Sequence, residues 1–117
     1  MKKSPLREKT YLFAIEVVLT YKMLTIEKRE YVMSKQLLRS GTNPGAMIRE
    51  AQSAESKADF IHKLKVAHKE ISETIYWLEL LTATKYLTEN DFKNLNTPAI
   101  EILRMLISSI NTAKANR

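Results

Sequence analysis

The chain has 117 residues, of which 44% are hydrophobic and 27% charged, with two glycines, three prolines and no cysteine. This length and composition fit a single globular domain over 1–117, exclude disordered and fibrous classes, disulfides, thiolate zinc sites and a cysteine nucleophile, and argue against turn-rich β architectures. The net charge of +6 is uneven, with 14 Lys and Arg against 7 Asp and Glu in residues 1–69 and 5 against 6 in residues 70–117. The basic half fits attraction to nucleic acid or an acidic protein surface, or else a solvated surface of mixed charge.

Lys2, Lys3, Arg7 and Lys9 precede the apolar run Tyr11 to Leu19 and imitate a secretion signal. Glu16 interrupts that run and no small-residue cleavage site follows it. Glu16 and Lys22 also defeat a membrane-spanning reading, which needs about 20 mostly apolar residues. The expectation is a soluble cytoplasmic protein with no membrane partner.

Ser4-Pro5 predicts the start of helix 1, with Ser as N-cap and Pro in the first turn. Leu12, Ile15, Leu19, Met23 and Ile26 recur at spacings of three and four and share one face. Phe13, Val17 and Leu24 form a second face about 100–140° away. One apolar stripe suffices for a surface helix of a monomer. Helix 1 is therefore expected to contact its own bundle and another surface, most simply another subunit.

A short connection near Thr25 to Lys28 leads to helix 2 through Tyr31, Met33, Leu37 and Leu38. Gly41, Pro44 and Gly45 then interrupt the pattern, yet Met33, Leu37, Ile48 and Ala51 keep one helical phase across them. The prediction is a kinked or tightly packed helix, with the glycines admitting a close neighbour. Ser56 and Asp59 predict the start of helix 3, whose stripe is Phe60, Leu64, Ala67, Ile71, Thr74, Leu78 and Leu81. Thr88 and Asp91, with Leu87 and Phe92 as a hydrophobic staple, start helix 4. Its stripe is Phe92, Leu95, Ala99, Leu103, Leu106 and Ile110, Pro98 implies a kink or a late start, and the tail from Asn111 is expected to fray. Four amphipathic helices with short connections predict an all-α antiparallel up-down four-helix bundle.

Chemistry is sparsely encoded. Ser40, Ser53 and Ser56 lack an identifiable base, and Asp59 with His62 is the only carboxylate-x-x-His pair, so neither catalysis nor a metal or other cofactor is expected. Asp59, Lys63, Val66, Glu70, Glu73 and Trp77 form a second row on helix 3, in which Asp59 and Lys63, four apart, are expected to pair. It reads as solvated charge, or as a polar seam against helix 2 or a neighbouring subunit. Lys28, Lys35 and Arg39 fall within about 40° on helix 2, while His62, Lys65 and Lys69 group on the outer side of helix 3 near Tyr76. These six are candidate nucleic-acid contacts, expected to bind phosphates with little sequence readout.

The residues Ser40-Gly41-Thr42, Gly45-Ala46, Ile48, Glu50-Ala51-Gln52, Ala54, Ser56, Asp59-Phe60, Leu64, Ala67, Glu70, Glu73 and Trp77-Leu78 resemble the S23, or 23S rRNA intervening-sequence, proteins. The match centres on residues 37–81. Pro44 stands where that family commonly has an apolar residue and Met47 where it has Asn, so no role of that Asn carries over. The resemblance implies a left-handed four-helix bundle, frequently a homopentamer, without enzymatic activity. The family is also similar to the accessory variability determinant of diversity-generating retroelements, a basic pentamer that partners a reverse transcriptase and nucleic acid. Gly41, Gly45, Glu50, Glu70, Glu73 and Trp77 are expected to build a structural seam or interface. The leading expectation is a homo-oligomer that binds nucleic acid or ribonucleoprotein through basic helix faces; the alternative is a protein-only scaffold or accessory subunit.

Overall fold

The computed structural model describes residues 4–116 and contains α1 (Pro5–Ile26), α2 (Met33–Gln52), α3 (Lys57–Ala83) and α4 (Glu89–Ala115). No strand occurs among the described residues. α2 packs against both α1 and α3, while α4 packs on α3 and more sparsely on α1. This is the neighbour pattern of an up-down bundle.

Local signals set most helix starts. Ser4 Oγ accepts from the Arg7 N–H at 3.2 Å, and Pro5 occupies the first turn. Thr88 and Asp91 form a complete capping box, each side chain accepting from the other's backbone N–H at 3.0 and 3.1 Å. Ser56 accepts from the Asp59 N–H, but the Asp59 carboxylate accepts from Glu55 rather than Ser56, so that box is displaced by one residue. α4 begins at Glu89 and continues through Pro98 to Ala115, which corrects the late start and makes the tail expected to fray helical to Ala115; Arg117 lies outside the described residues.

α2 begins later than the sequence pattern indicated. Tyr31 lies in the connection, and Val32 at the N-cap has no capping side chain. Glu30 takes over that role from two residues upstream. Its buried carboxylate accepts from the N–H groups of Val32, Met33 and Ser34 at 3.1, 3.0 and 2.6 Å. Burial pushes this carboxyl pKa up, but the three donors outweigh it and hold the group below its ordinary value. Arg29, at φ 54, supplies the left-handed step that turns the chain into this cap.

The core is built from the second predicted face of α1 and the stripes of α2, α3 and α4, with Val17, Leu24, Leu37, Leu64, Ile71, Leu78, Leu81 and Leu106 almost fully enclosed. Ile102, outside the predicted α4 stripe, is equally enclosed. Pro44 is itself buried on the core face of α2, and the helix runs through it. The two glycines differ in what they allow. A Cβ on Gly41 would lie 2.8 Å from both Val17 methyl carbons, whereas one on Gly45 would meet the Thr10 carbonyl oxygen at an ordinary 3.5 Å. Gly41 therefore fixes how closely α1 approaches α2.

We predict that Gly41→Ala destabilises the fold by about 1–3 kcal/mol through overpacking against Val17. Gly45→Ala should be neutral or stabilising by up to about 1 kcal/mol, because helical Ala replaces helical Gly without a clash. Urea unfolding of the two variants checks this contrast, and equal effects would contradict it.

Candidate functional site

The second row of α3 meets α2 inside the subunit. The Arg39 guanidinium reaches across from α2 and forks onto two carboxylates, Glu70 at 2.7 Å and Glu73 in a shorter contact. Asn43 Nδ2 donates to the same Glu70 oxygen at 3.3 Å, and the Trp77 indole N–H donates to Glu73 at 3.0 Å. Glu70 is 6% exposed, so Arg39 and Asn43 satisfy a carboxylate that water scarcely reaches. Behind it, Thr74 Oγ1 hydrogen-bonds Ser40 Oγ at 2.9 Å and the Glu70 carbonyl at 2.8 Å. Farther along, Lys63 pairs with Glu50 at 3.1 Å. Lys63, Glu70 and Glu73 of this row thus make polar contacts with α2, whereas Asp59 bonds the Glu55 backbone.

Arg39, one of the candidate nucleic-acid contacts, has both guanidinium ends on carboxylates while its side chain stays half exposed. Asp59 caps the backbone of Glu55 while Lys63 turns to Glu50, so the anticipated Asp59–Lys63 pair gives way to a cross-helix pair. The seam also sets its own electrostatics. The Trp77 N–H and the Arg39 charge lower the Glu73 carboxyl pKa against the opposing effect of burial. Glu73, burial notwithstanding, raises that of Arg39.

The other candidate cations fall into two groups. Lys28 lies in the α1–α2 connection, off the α2 wheel on which the sequence reading placed it, and Lys35 is exposed in the first turn of α2. His62, Lys65 and Lys69 are exposed on one outward stripe of α3, with Tyr76 two turns farther on. Sequence reasoning missed Lys114 of α4, which comes against Lys65; contact with that second ammonium pushes the Lys114 pKa down. A tail expected to fray had no place in a site.

Among the described residues, most exposed large hydrophobic side chains lie on α1 or at its α1–α2 tip. Phe13, Val17 and Leu24 face the core, while Leu12, Ile15, Leu19 and Ile26 are 40–74% exposed on the opposite side. Tyr31 and Val32, held out by the Glu30 cap, extend this surface at the α1–α2 tip. A cleft beside the stripe is lined by Pro5, Glu8, Lys9, Leu12 and Met105. No group of three or more metal-binding side chains occurs among the described residues, and no described helix is long and apolar enough to cross a membrane.

Fold and side chains together define an all-α four-helix bundle whose buried polar groups join α2 to α3. The model of the 23S rRNA-intervening sequence protein family matches residues 2–108, and the chain belongs to that family. A crystal structure of a protein of unknown function from the S23 ribosomal protein family, from Bacteroides thetaiotaomicron VPI-5482, superposes with a TM-score of 0.89. It is 51% identical over 90% of this chain and 97% of that one. No curated protein matches this chain. The family assignment therefore brings no catalytic role with it.

For the seam, we predict that Arg39→Ala destabilises the protein by about 1–3 kcal/mol at neutral pH, with Arg39→Lys intermediate because an ammonium cannot fork onto both carboxylates. Glu73 has a depressed folded pKa, so its contribution is present above the ordinary carboxylate range and is lost as pH falls through the lower folded value. Thermal melts should therefore show the difference between wild type and Arg39→Ala shrinking from about pH 7 to about pH 3. A difference independent of pH would contradict the ion-pair account.

Proposed function

We propose that this protein is a non-enzymatic, cytoplasmic homo-oligomer that binds nucleic acid or ribonucleoprotein through its basic helix faces. The observation that carries the reading is the outward stripe of α3, where His62, Lys65 and Lys69 are exposed. Glu70 and Glu73 of the same helix bind Arg39, and Glu73 also feels the Lys69 charge. Cations that no ion pair neutralises attract phosphate, and their field acts at a distance set by salt. Lys28 and Lys35 add charge near the start of α2. The family's printed description, which refers to an intervening sequence of 23S rRNA, agrees with an RNA setting.

Assembly rests on α1. Leu12, Ile15, Leu19 and Ile26 form an apolar stripe with its core-facing side already filled, and such a patch is characteristic of a contact surface. A homopentamer, which the family resemblance implies, would cover it by repeating one contact around a ring. The same stripe, with Tyr31 and Val32, favours the second reading, a scaffold or accessory subunit that recruits only protein.

The two readings separate by titrating labelled structured RNA and duplex DNA at several salt concentrations. Nucleic-acid binding predicts a linear fall of log K with log salt, with a slope of roughly 0.7–0.9 per phosphate neutralised. Absence of binding even at low salt would leave the protein-only scaffold.

A further inference from the structure

The outward stripe of α3 has a counterpart on α4. His62, Lys65, Lys69, Ser72 and Tyr76 recur at spacings of three and four and are all exposed. On α4, Arg104, Ile107, Asn111 and Lys114 recur in the same way and are exposed too. The helices are neighbours joined through residues 84–88. Lys65 lies 18 residues before the end of α3 and Lys114 lies 25 after the start of α4. The two are about 10 Å apart in level, within the span of two lysine side chains, and the Lys65 charge acts on Lys114. Lys69 lies 14 residues before the end of α3 and Arg104 lies 15 after the start of α4, so a common rise of about 1.5 Å per residue brings them to one level. Four cations drawn from two helices thus border one outer groove.

Two adjacent carboxylates are otherwise engaged. Glu73 is held by Arg39 and Trp77, with Lys69 acting on it only through its charge, and Glu101 pairs with Lys9 at 3.1 Å. Glu79 is exposed on α3 one turn beyond Tyr76, past the cationic part of the groove. Two neighbouring ammonium groups repel, and a phosphate between them removes that repulsion while gaining charge-assisted hydrogen bonds. Tyr76, 54% exposed, stands about 16 Å along α3 from Lys65. Its ring packs edge-on against Trp77, with centroids 5.0 Å apart and planes at 70°. The contact steadies an aromatic face at the end of a cationic track. A duplex keeps its bases stacked and offers this surface phosphates alone, whereas a single strand offers phosphates and a free base face.

We propose that the outer α3–α4 groove binds single-stranded nucleic acid, with Lys65, Lys69, Arg104 and Lys114 on the phosphates and Tyr76 stacked against a base. This rests on the nucleic-acid reading above and adds the strand state, the contribution of α4 and the stacking residue.

The test is fluorescence anisotropy of the full chain with labelled oligouridylate, oligodeoxythymidylate and a duplex, repeated across salt. Single strands should bind more tightly than the duplex. The double variant Lys65→Gln, Lys114→Gln should lower the salt slope by roughly 0.7 per lysine. Tyr76→Ala should weaken single-strand binding by roughly 5- to 100-fold, and Tyr76→Phe, which keeps the ring, should restore it. Lys85→Gln, in the connection at the far end of α3, should leave binding unchanged. Circular dichroism and melting of each variant separate lost binding from lost folding. RNA against DNA in the two single-strand arms reports which sugar is preferred; tight binding of either supports the groove. Preference for duplex, or a folded Tyr76→Ala or double-lysine variant that binds like wild type, would overturn the groove while leaving nucleic-acid binding intact. Failure of wild type to bind any of the three probes would overturn both.

Discussion

α2 must be held on both sides at once, and the rest of the bundle depends on how this is done. Toward α1 it presents Gly41, so close to Val17 that a single added carbon would collide with both methyl groups. Toward α3 it presents Arg39, Ser40 and Asn43, which engage Glu70, Glu73 and Thr74. One side is fixed by shape and the other by directional polar contacts. Neither tolerates much sliding, because buried Glu70 without its partners would face a low-dielectric core.

This division sorts the charges of a basic protein. Arg39, Lys63 and Lys9 are matched to carboxylates on other helices. The outer faces of α3 and α4 keep Lys65, Lys69, Arg104 and Lys114 toward solvent. The net charge of +6 is therefore more than an even positive cloud, since cross-helix pairing concentrates its unneutralised part. Functional potential lies in what the packing does not use, the outer cations and the back of α1. No constellation of nucleophile and base accompanies them.

Much of the fold was legible because its signals are local or periodic. Ser4-Pro5, Ser56 and Thr88 mark helix starts through contacts within a few residues, and the stripes of α3 and α4 follow the helical repeat. The two apolar faces of α1 were legible for the same reason, and α2 kept its phase through Pro44. The candidate site was harder to read. Periodicity places Arg39 on a face but does not disclose that Glu70 and Glu73 stand opposite it. It likewise assigned Lys63 to Asp59, its neighbour in sequence, whereas Glu50 of α2 is its neighbour in space. Glu30 was missed because its cap acts from upstream of an apolar N-cap residue, where a helix-start rule looks for Ser, Thr, Asp or Asn. Lys114 was missed because helix order at a chain end depends on packing rather than on local pattern.

Gly41 and the α2–α3 seam fill the inner side of the bundle, which leaves α1 with an apolar back that stays exposed among the described residues. In the proposed assembly another copy of the chain covers that surface. Light scattering at micromolar concentration, for wild type and for Leu19→Glu, tests this most directly. The proposed assembly requires a wild-type mass several times the 13.5 kDa of one chain, falling toward 13.5 kDa in the variant while helicity is retained. A wild-type protein that scatters as a 13.5 kDa monomer would contradict it.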